Sequence, residues 1–226
     1  MLLQRYARPV LLTLTVAYTA LMVAGGSRVV TAFHVPHESA AAIAFVAQHS
    51  LAIRLGSFFE FVSAIPLGIF MAIIIGRLWV PGIGKPIAAL GGVATPMMLV
   101  GSALATWSLT RPGVAAAPGA VVVLQSMGFD GGGPGFALFL GLFVAGVTLA
   151  ASRGKLILRL LVGLGIVVAA AGELSSFTLL NFTAGYFIPV ARLLSIVWMV
   201  GLAFELPPAL SLREDSGVRP AGEAQA

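Results

Sequence analysis

Residues 51–76 read LAIRLGSFFEFVSAIPLGIFMAIIIG, an apolar run interrupted only by the charged residues Arg54 and Glu60. About 20 apolar residues are enough to cross the hydrocarbon core of a bilayer as a helix. A backbone in lipid must satisfy its hydrogen bonds internally, and a helix does so. This stretch therefore predicts a transmembrane helix. Its two charges are candidates for function because ionisable groups are costly in lipid.

Five further apolar runs resemble this one, at residues 9–26, 87–109, 134–151, 156–180 and 185–206. The composition agrees, since 59% of the residues are hydrophobic and 9% are charged, whereas soluble domains carry about 25% charged residues. Too little polar material remains to cover a water-facing surface. We therefore predict an all-α integral membrane bundle of six transmembrane helices, which forms one domain over residues 1–206.

The polar end of the chain, residues 207–226, is expected to be a disordered cytoplasmic tail. The first run follows Arg5 and Arg8 and has some features of a signal peptide. Its apolar part is longer than a usual signal core, so we expect it to be retained as the first membrane helix.

The basic residues between the runs are distributed unequally. With six spans and a cytoplasmic start, only Arg28 and Arg111 fall on the outer side. The inner side holds the larger set, Arg5, Arg8, Arg77, Lys85, Arg153, Lys155, Arg159, Arg213 and Arg219. Cytoplasmic loops carry the excess of Lys and Arg, so both termini are predicted to be cytoplasmic. These residues form no basic block, so no nucleic-acid partner is predicted despite the net charge of +5.

Two of the predicted outer connections are long enough to hold short helices. The first connection, 27–50, contains a mildly apolar piece at 39–48, and the second, 110–133, has an apolar centre at 120–124. The second connection ends in the run Gly131-Gly132-Gly133-Pro134. Glycine and proline are the strongest helix breakers, so we expect this run to end any helix before the fourth span begins.

Three of the charged residues inside the runs are predicted to share one depth. At about 1.5 Å per residue, Glu60 lies about 13 Å below residue 51, Glu173 about 10 Å below residue 180, and Arg192 about 9 Å below residue 186. Each charge costs about 2.5–3.5 kcal/mol in the bilayer centre, so the three must pair, face inward or become neutral. We predict that Arg192 lies between Glu60 and Glu173 and draws the second, fifth and sixth helices together.

Serines accompany these charges at intervals of three residues, which places them on the same helix face. Arg54 lies only about 5 Å below residue 51, so its side chain can reach water. It points away from Glu60, although it could offset the excess negative charge of the cluster. The predicted intramembrane polar cluster contains Glu60, Glu173, Arg192, Arg54, Ser57, Ser63, Ser176 and Ser195.

Two functions fit such a cluster. A buried ion-pair network can fix helix register, which predicts a structural, sensory or accessory membrane protein. This is the interpretation that the residues favour. The same cluster could instead bind a small polar or anionic ligand in a small transporter or ligand-binding membrane protein. Apart from the lipid bilayer, such a ligand is the one partner that the sequence suggests.

The histidines provide a weak indication of a metal site. His34, His37 and His49 lie in one connection, but they lack a firm fourth ligand. They remain weak candidates, and no metal or other cofactor is predicted. The runs contain no histidine that could activate a serine, and no phosphate-binding loop or hydrolase motif occurs. The sequence therefore assigns no enzyme activity, although a carboxylate-based enzyme that uses Glu60 or Glu173 stays an open alternative.

Two segments resemble a known group of proteins. Residues 50–71, together with Gly185-Tyr186-Phe187-Ile188-Pro189-Val190-Ala191-Arg192 and its continuation to Pro207, are similar to segments of bacterial polytopic membrane proteins grouped as a domain of unknown function. The resemblance implies a helical bundle of the bacterial inner membrane. It implies no catalytic or binding residue.

Overall fold

The computed structural model describes residues 7–29, 39–78, 81–115, 117–153 and 157–205. These residues are helical almost throughout, and none of them lies in a strand. The all-α prediction is therefore confirmed. The predicted tail at 207–226 lies outside the described residues.

The α-helices of the described chain are α1 (Ala7–Val29), α2 (Ser39–Gln48), α3 (Ser50–Arg77), α4 (Gly84–Ser108), α5 (Pro112–Ala115), α6 (Pro118–Asp130), α7 (Phe136–Arg153), α8 (Arg159–Ser175) and α9 (Phe187–Glu205). A π-helical turn at Gly131–Gly135, called the π-turn below, joins α6 to α7. Two 3₁₀ turns, Ser176–Leu179 and Phe182–Tyr186, lie between α8 and α9.

Six stretches of the described chain are long and apolar enough to cross a membrane: Arg8–Gly25, Ser50–Arg77, Gly84–Ser108, Gly119–Arg153, Arg159–Leu179 and Phe182–Glu205. Each overlaps one predicted run, which suggests a multi-pass membrane protein. The fourth stretch is the central one, because 61% of its apolar window is buried, against 22–39% for the others.

The spanning helices form a closed ring in which each packs on its neighbour in the chain. Helix α1 packs on α3, α3 on α4, α4 on α7, α7 on α8 and α8 on α9, and α9 closes the ring against α1. Helix α7 also contacts α3 and α9, so this member of the ring packs across the bundle as well as against its two neighbours. The main core includes Tyr18, Phe70, Phe143 and Trp198, and the rings of Phe143 and Trp198 meet edge to face at 6.2 Å.

Glycines allow α4 and α7 to approach each other closely. A Cβ atom built on Gly91 would lie 2.3 Å from the backbone nitrogen of Phe143, and one on Gly146 would lie 2.3 Å from that of Ala88. Real side chains cannot occupy such positions. Helices in lipid gain little from hydrophobic burial and associate through close backbone packing, so these two glycines hold the central helix against α4.

The prediction that Gly131-Gly132-Gly133-Pro134 ends a helix is wrong. The chain continues through this run as the π-turn, so α6, the π-turn and α7 form one helical stretch, in which Gly119–Arg153 alone spans 35 residues. Proline removes one backbone donor, and the wider π-helical geometry absorbs this defect because three glycines present no side chains to obstruct it. At about 1.5 Å per residue the stretch is about 50 Å long, longer than the roughly 30 Å that a bilayer core requires.

Short helices do occur in the two long connections. Helix α2 has the bounds of the predicted apolar piece, Ser39–Gln48, and the predicted apolar centre at 120–124 lies within α6. A second apolar cluster, which includes Ala42, Val46 and Val121, packs these helices together at the end of the bundle where α3 begins. Their position on the outer side of a membrane stays a prediction.

Candidate functional site

A chain of three polar groups links α3, α4 and α6 inside the bundle. The hydroxyl of Ser102 lies 2.8 Å from Oε1 of Glu60 and also 2.8 Å from the carbonyl oxygen of Gly128. Ser102 is only 3% exposed. One buried hydroxyl therefore touches both a carboxyl group and the last turn of α6.

Gly132 of the π-turn lies directly against this chain. A Cβ atom at Gly132 would come within 2.5 Å of the Ser102 hydroxyl and 2.9 Å of the Glu60 carboxyl. Any other residue here would push these two groups apart. The glycine-rich π-turn therefore lets its backbone reach the polar groups of the neighbouring helices, and π-helical turns are frequent at functional sites.

Arg192 reaches the π-turn from α9. Its Nη2 donates a hydrogen bond to the carbonyl oxygen of Gly132. Its guanidinium carbon lies 4.6 Å from the ring centre of the fully buried Phe136, a cation–π contact. The Nε of Arg192 is buried and has no hydrogen-bond partner among the described residues. One donor of this side chain is thus unused.

Tyr18 of α1 supplies a second unused polar group. The residue is 1% exposed, and its hydroxyl has no partner within the part of the chain that the structure describes. Tyr18 lies on α1, which packs against α3 and α9, the helices that carry Glu60 and Arg192. We call Tyr18, Glu60, Ser102, Gly132 and Arg192 the polar centre. Each of the six apolar stretches except the fifth, Arg159–Leu179, contributes a residue to the polar centre.

The predicted three-residue clamp does not form. Arg192 makes no ion pair with Glu60 or Glu173 in the described structure, and Glu173 is an exposed residue of α8 whose carboxyl contacts no polar partner there. The reason is helix rotation. Helix α8 turns Gly172 towards Gly141 of α7 and buries Ser175, so Glu173 lies on a face that points away from α7.

Most serines of the predicted cluster donate hydrogen bonds to backbone carbonyl oxygens of their own helix. Ser63, Ser176 and Ser195 each donate to a carbonyl oxygen three residues earlier, at 2.6, 2.6 and 2.7 Å. Serine often bonds to its own helix in this way. None of the three hydroxyls therefore donates a hydrogen bond to a charged side chain. Ser57 is buried, and its hydroxyl has no partner among the described residues. None of these serines hydrogen-bonds to a charged side chain among the described residues.

Arg54 binds outside the polar centre. Its Nε donates to the hydroxyl of Thr110 at 3.2 Å, and its Nη2 donates to the carbonyl oxygen of Thr110 at 3.3 Å. These bonds tie the beginning of α3 to the residues that follow α4. Arg54 is thus not the group that neutralises Glu60.

Only one of the three histidines that were weak metal-site candidates lies within the described residues. His34 and His37 lie outside the described residues. The ring of His49 stacks on Phe45 with ring centres 4.2 Å apart, and its Nδ1 lies 2.9 Å from the Phe45 carbonyl oxygen. No group of three His, Cys, Asp or Glu side chains within the described ranges could hold a metal ion.

The sequence did not single out Tyr18, Ser102 or Gly132. Ser102 and Tyr18 each lie within a predicted apolar run, and a polar group inside such a run is the signal that could have identified them. The glycine run was interpreted only as a helix breaker. A comparison of the chain with family models, curated proteins and solved structures finds no match. The resemblance to a bacterial domain of unknown function therefore stays a prediction.

Proposed function

We propose that the chain is a multi-pass protein of the bacterial inner membrane that binds a small polar or anionic ligand at the polar centre, as a small transporter or a ligand-binding membrane protein. The excess of Lys and Arg in alternate connections supports cytoplasmic termini. The observation that carries the proposal is that the Tyr18 hydroxyl and Arg192 Nε, two of several such buried groups, have no hydrogen-bond partner among the described residues.

Unused buried polar groups are unfavourable. Leaving one without a hydrogen bond costs about 1–3 kcal/mol, and such groups in a folded protein call for an explanation such as a bound ion or water. Here two of them, the Tyr18 hydroxyl and Arg192 Nε, lie on α1 and α9, which pack against each other. A ligand bound among these side chains would restore the missing hydrogen bonds.

A second candidate function is the structural, sensory or accessory role in which the polar centre only holds helices together. The contact that favours it is the hydrogen bond from Arg192 to Gly132, supported by the Phe136 ring. This contact joins α9 to the π-turn. An ion pair between Arg192 and an acidic residue, which would have supported this role further, is missing from the described structure.

The test compares ligand responses of matched variants. The purified chain in lipid nanodiscs is unfolded thermally in the presence of a panel of small polar and anionic solutes. A solute that binds only the folded state at one hundred times its Kd stabilises that state by about 2.7 kcal/mol. We expect at least one solute to raise the Tm of the unaltered chain, and we expect Glu60→Gln combined with Arg192→Met to abolish that rise.

Glu173→Gln is the matched control because it makes the same chemical change at an exposed glutamate. It should keep the full ligand response. The ligand-binding proposal fails if the double variant responds to solutes as the unaltered chain does, or if no solute shifts the Tm of the unaltered chain. A folded double variant that keeps its cellular role would support the structural function.

A further inference from the structure

Resting on the proposed function, we propose that the ligand is a small monoanion and that it binds together with one proton, which Glu60 carries. The inference specifies the chemistry of the site that Tyr18, Glu60, Ser102 and Arg192 form. It depends on which groups in the polar centre still lack partners, on the number of hydrogens available there, and on the total charge.

The unused groups favour an anionic ligand. Arginine only donates hydrogen bonds and remains charged in proteins. The buried Nε–H of Arg192 therefore requires an acceptor, and its positive charge favours a negative one. The Tyr18 hydroxyl, which also has no partner among the described residues, can donate to the same acceptor. Hydrogen bonds with an ionised partner are about twice as strong as neutral ones.

The contacts of Ser102 fit a protonated Glu60. A serine hydroxyl has one hydrogen, yet two acceptors lie 2.8 Å from it, the Glu60 carboxyl and the Gly128 carbonyl oxygen. If Glu60 is ionised, only one of these contacts is a hydrogen bond. If Glu60 holds a proton, its O–H donates to Ser102 and Ser102 donates to Gly128. Both short contacts are then hydrogen bonds, so the arrangement around Ser102 suits the protonated carboxyl that anion binding requires.

Charge balance links the proton to the anion. The other titratable groups of the polar centre are Tyr18 of α1 and Arg192 of α9, while α4 presents the uncharged Ser102 to the Glu60 carboxyl and the π-turn presents Gly132. In the empty site the charges of Arg192 and ionised Glu60 sum to zero. An anion alone would leave one net negative charge in a medium where charge is costly. A proton on Glu60 restores neutrality, so one proton accompanies each anion.

The experiment measures anion binding and proton uptake together. Chloride, nitrate and formate are titrated into the full-length chain in nanodiscs, and a pH dye in weak buffer reports protons taken up. We expect one proton per bound anion. We also expect the Kd to rise about tenfold for each pH unit over which the empty site holds ionised Glu60, as linkage to one proton requires.

Variants separate the roles of the two groups. Glu60→Gln imitates the protonated carboxyl, so it should still bind the anion, but without proton uptake and without pH dependence. Tyr18→Phe removes one donor with little change in shape and should weaken binding about tenfold. Glu173→Gln should bind anion and proton as the unaltered chain does.

Each contrary result has a distinct meaning. Anion binding without proton uptake in the unaltered chain, or pH dependence that survives Glu60→Gln, overturns the coupling. Binding of a neutral or cationic solute that Glu60→Gln combined with Arg192→Met abolishes, with none of the three anions bound, overturns this inference and leaves the proposed function intact. If no solute of any class binds, the proposed function fails together with the inference.

Discussion

Glu60 and Glu173 lie at nearly the same predicted depth, yet the molecule uses the two regions around them differently. Glu60 points into the ring of helices, where Ser102, the π-turn and Arg192 surround it. Glu173 lies on the exposed side of α8, next to the glycine-packed contact with α7. The difference shows that depth along a span and direction around a helix are separate properties. A buried site can be identified only when both the depth of a residue and its direction around the helix are known.

Arg192→Met should produce the largest difference between the two regions. The variant loses a charge-assisted hydrogen bond to Gly132, worth about 1.5–3 kcal/mol, and the contact with Phe136, worth up to about 2 kcal/mol when desolvated. We expect unfolding in a denaturing-detergent titration to require about 3 kcal/mol less than for the unaltered chain. Glu173→Gln should change stability by no more than about 0.5 kcal/mol. Equal effects would contradict the distinction between the regions.

Gly132→Ala tests whether the π-turn must lack a side chain beside Glu60. The added methyl group would meet the Ser102 hydroxyl at 2.5 Å, and overpacking of this kind costs about 1–3 kcal/mol. The control is Gly101→Ala in α4, where a Cβ atom has nothing within 4 Å and alanine favours the helix. We expect the first variant to lower the Tm and the second to preserve or raise it. The opposite order would show that the π-turn moves freely away from α4.

Ser102→Ala should have the smallest effect and the most local one. It removes the hydroxyl that holds Gly128, so the opening of α6 should become easier by about 1 kcal/mol, close to fivefold in population. The chain has no cysteine, so Val121→Cys, at a buried site in α6, can report this opening by its thiol-labelling rate.

The control for this variant is Ser108→Ala, which removes an exposed hydroxyl that bonds only to its own helix. Labelling of Cys introduced at position 121 should be unchanged by it. If both serine variants accelerate labelling equally, the hydroxyl of Ser102 does not hold α6.

The helices were predictable because their signal is local. Apolar runs such as residues 51–76 require only length and composition to be recognised, and the observed helix Ser50–Arg77 departs from the predicted one by a single residue at each end. The glycine run before Pro134 was misjudged because the rule for helix breakers describes a lone helix. In the bundle, neighbours such as Ser102 and Met98 lie close to the π-turn and support a helix that glycine and proline would otherwise end.

The candidate site was predictable only in part. Glu60 and Arg192 could be singled out because charge inside an apolar run is visible without a structure, and both lie against Gly132. Their connection through Gly132, a residue with no side chain, was not visible. Spacing placed Ser63 and Ser195 on the same helix faces as the charges, but it could not show that their hydroxyls bond to backbone carbonyls.

The amino-acid sequence by itself determined that this chain forms apolar helices in the right number to cross a membrane six times, because length and hydrophobicity are sums over neighbouring residues. The tertiary structure alone decided which polar groups meet. Glycine contacts at Gly91, Gly146 and Gly172 set how each helix is rotated and how closely it approaches the next. Adjacent residues of a helix point about 100° apart. The rotation of each helix therefore decides which side chains point into the bundle, and it encloses Glu60 while Glu173 faces outward.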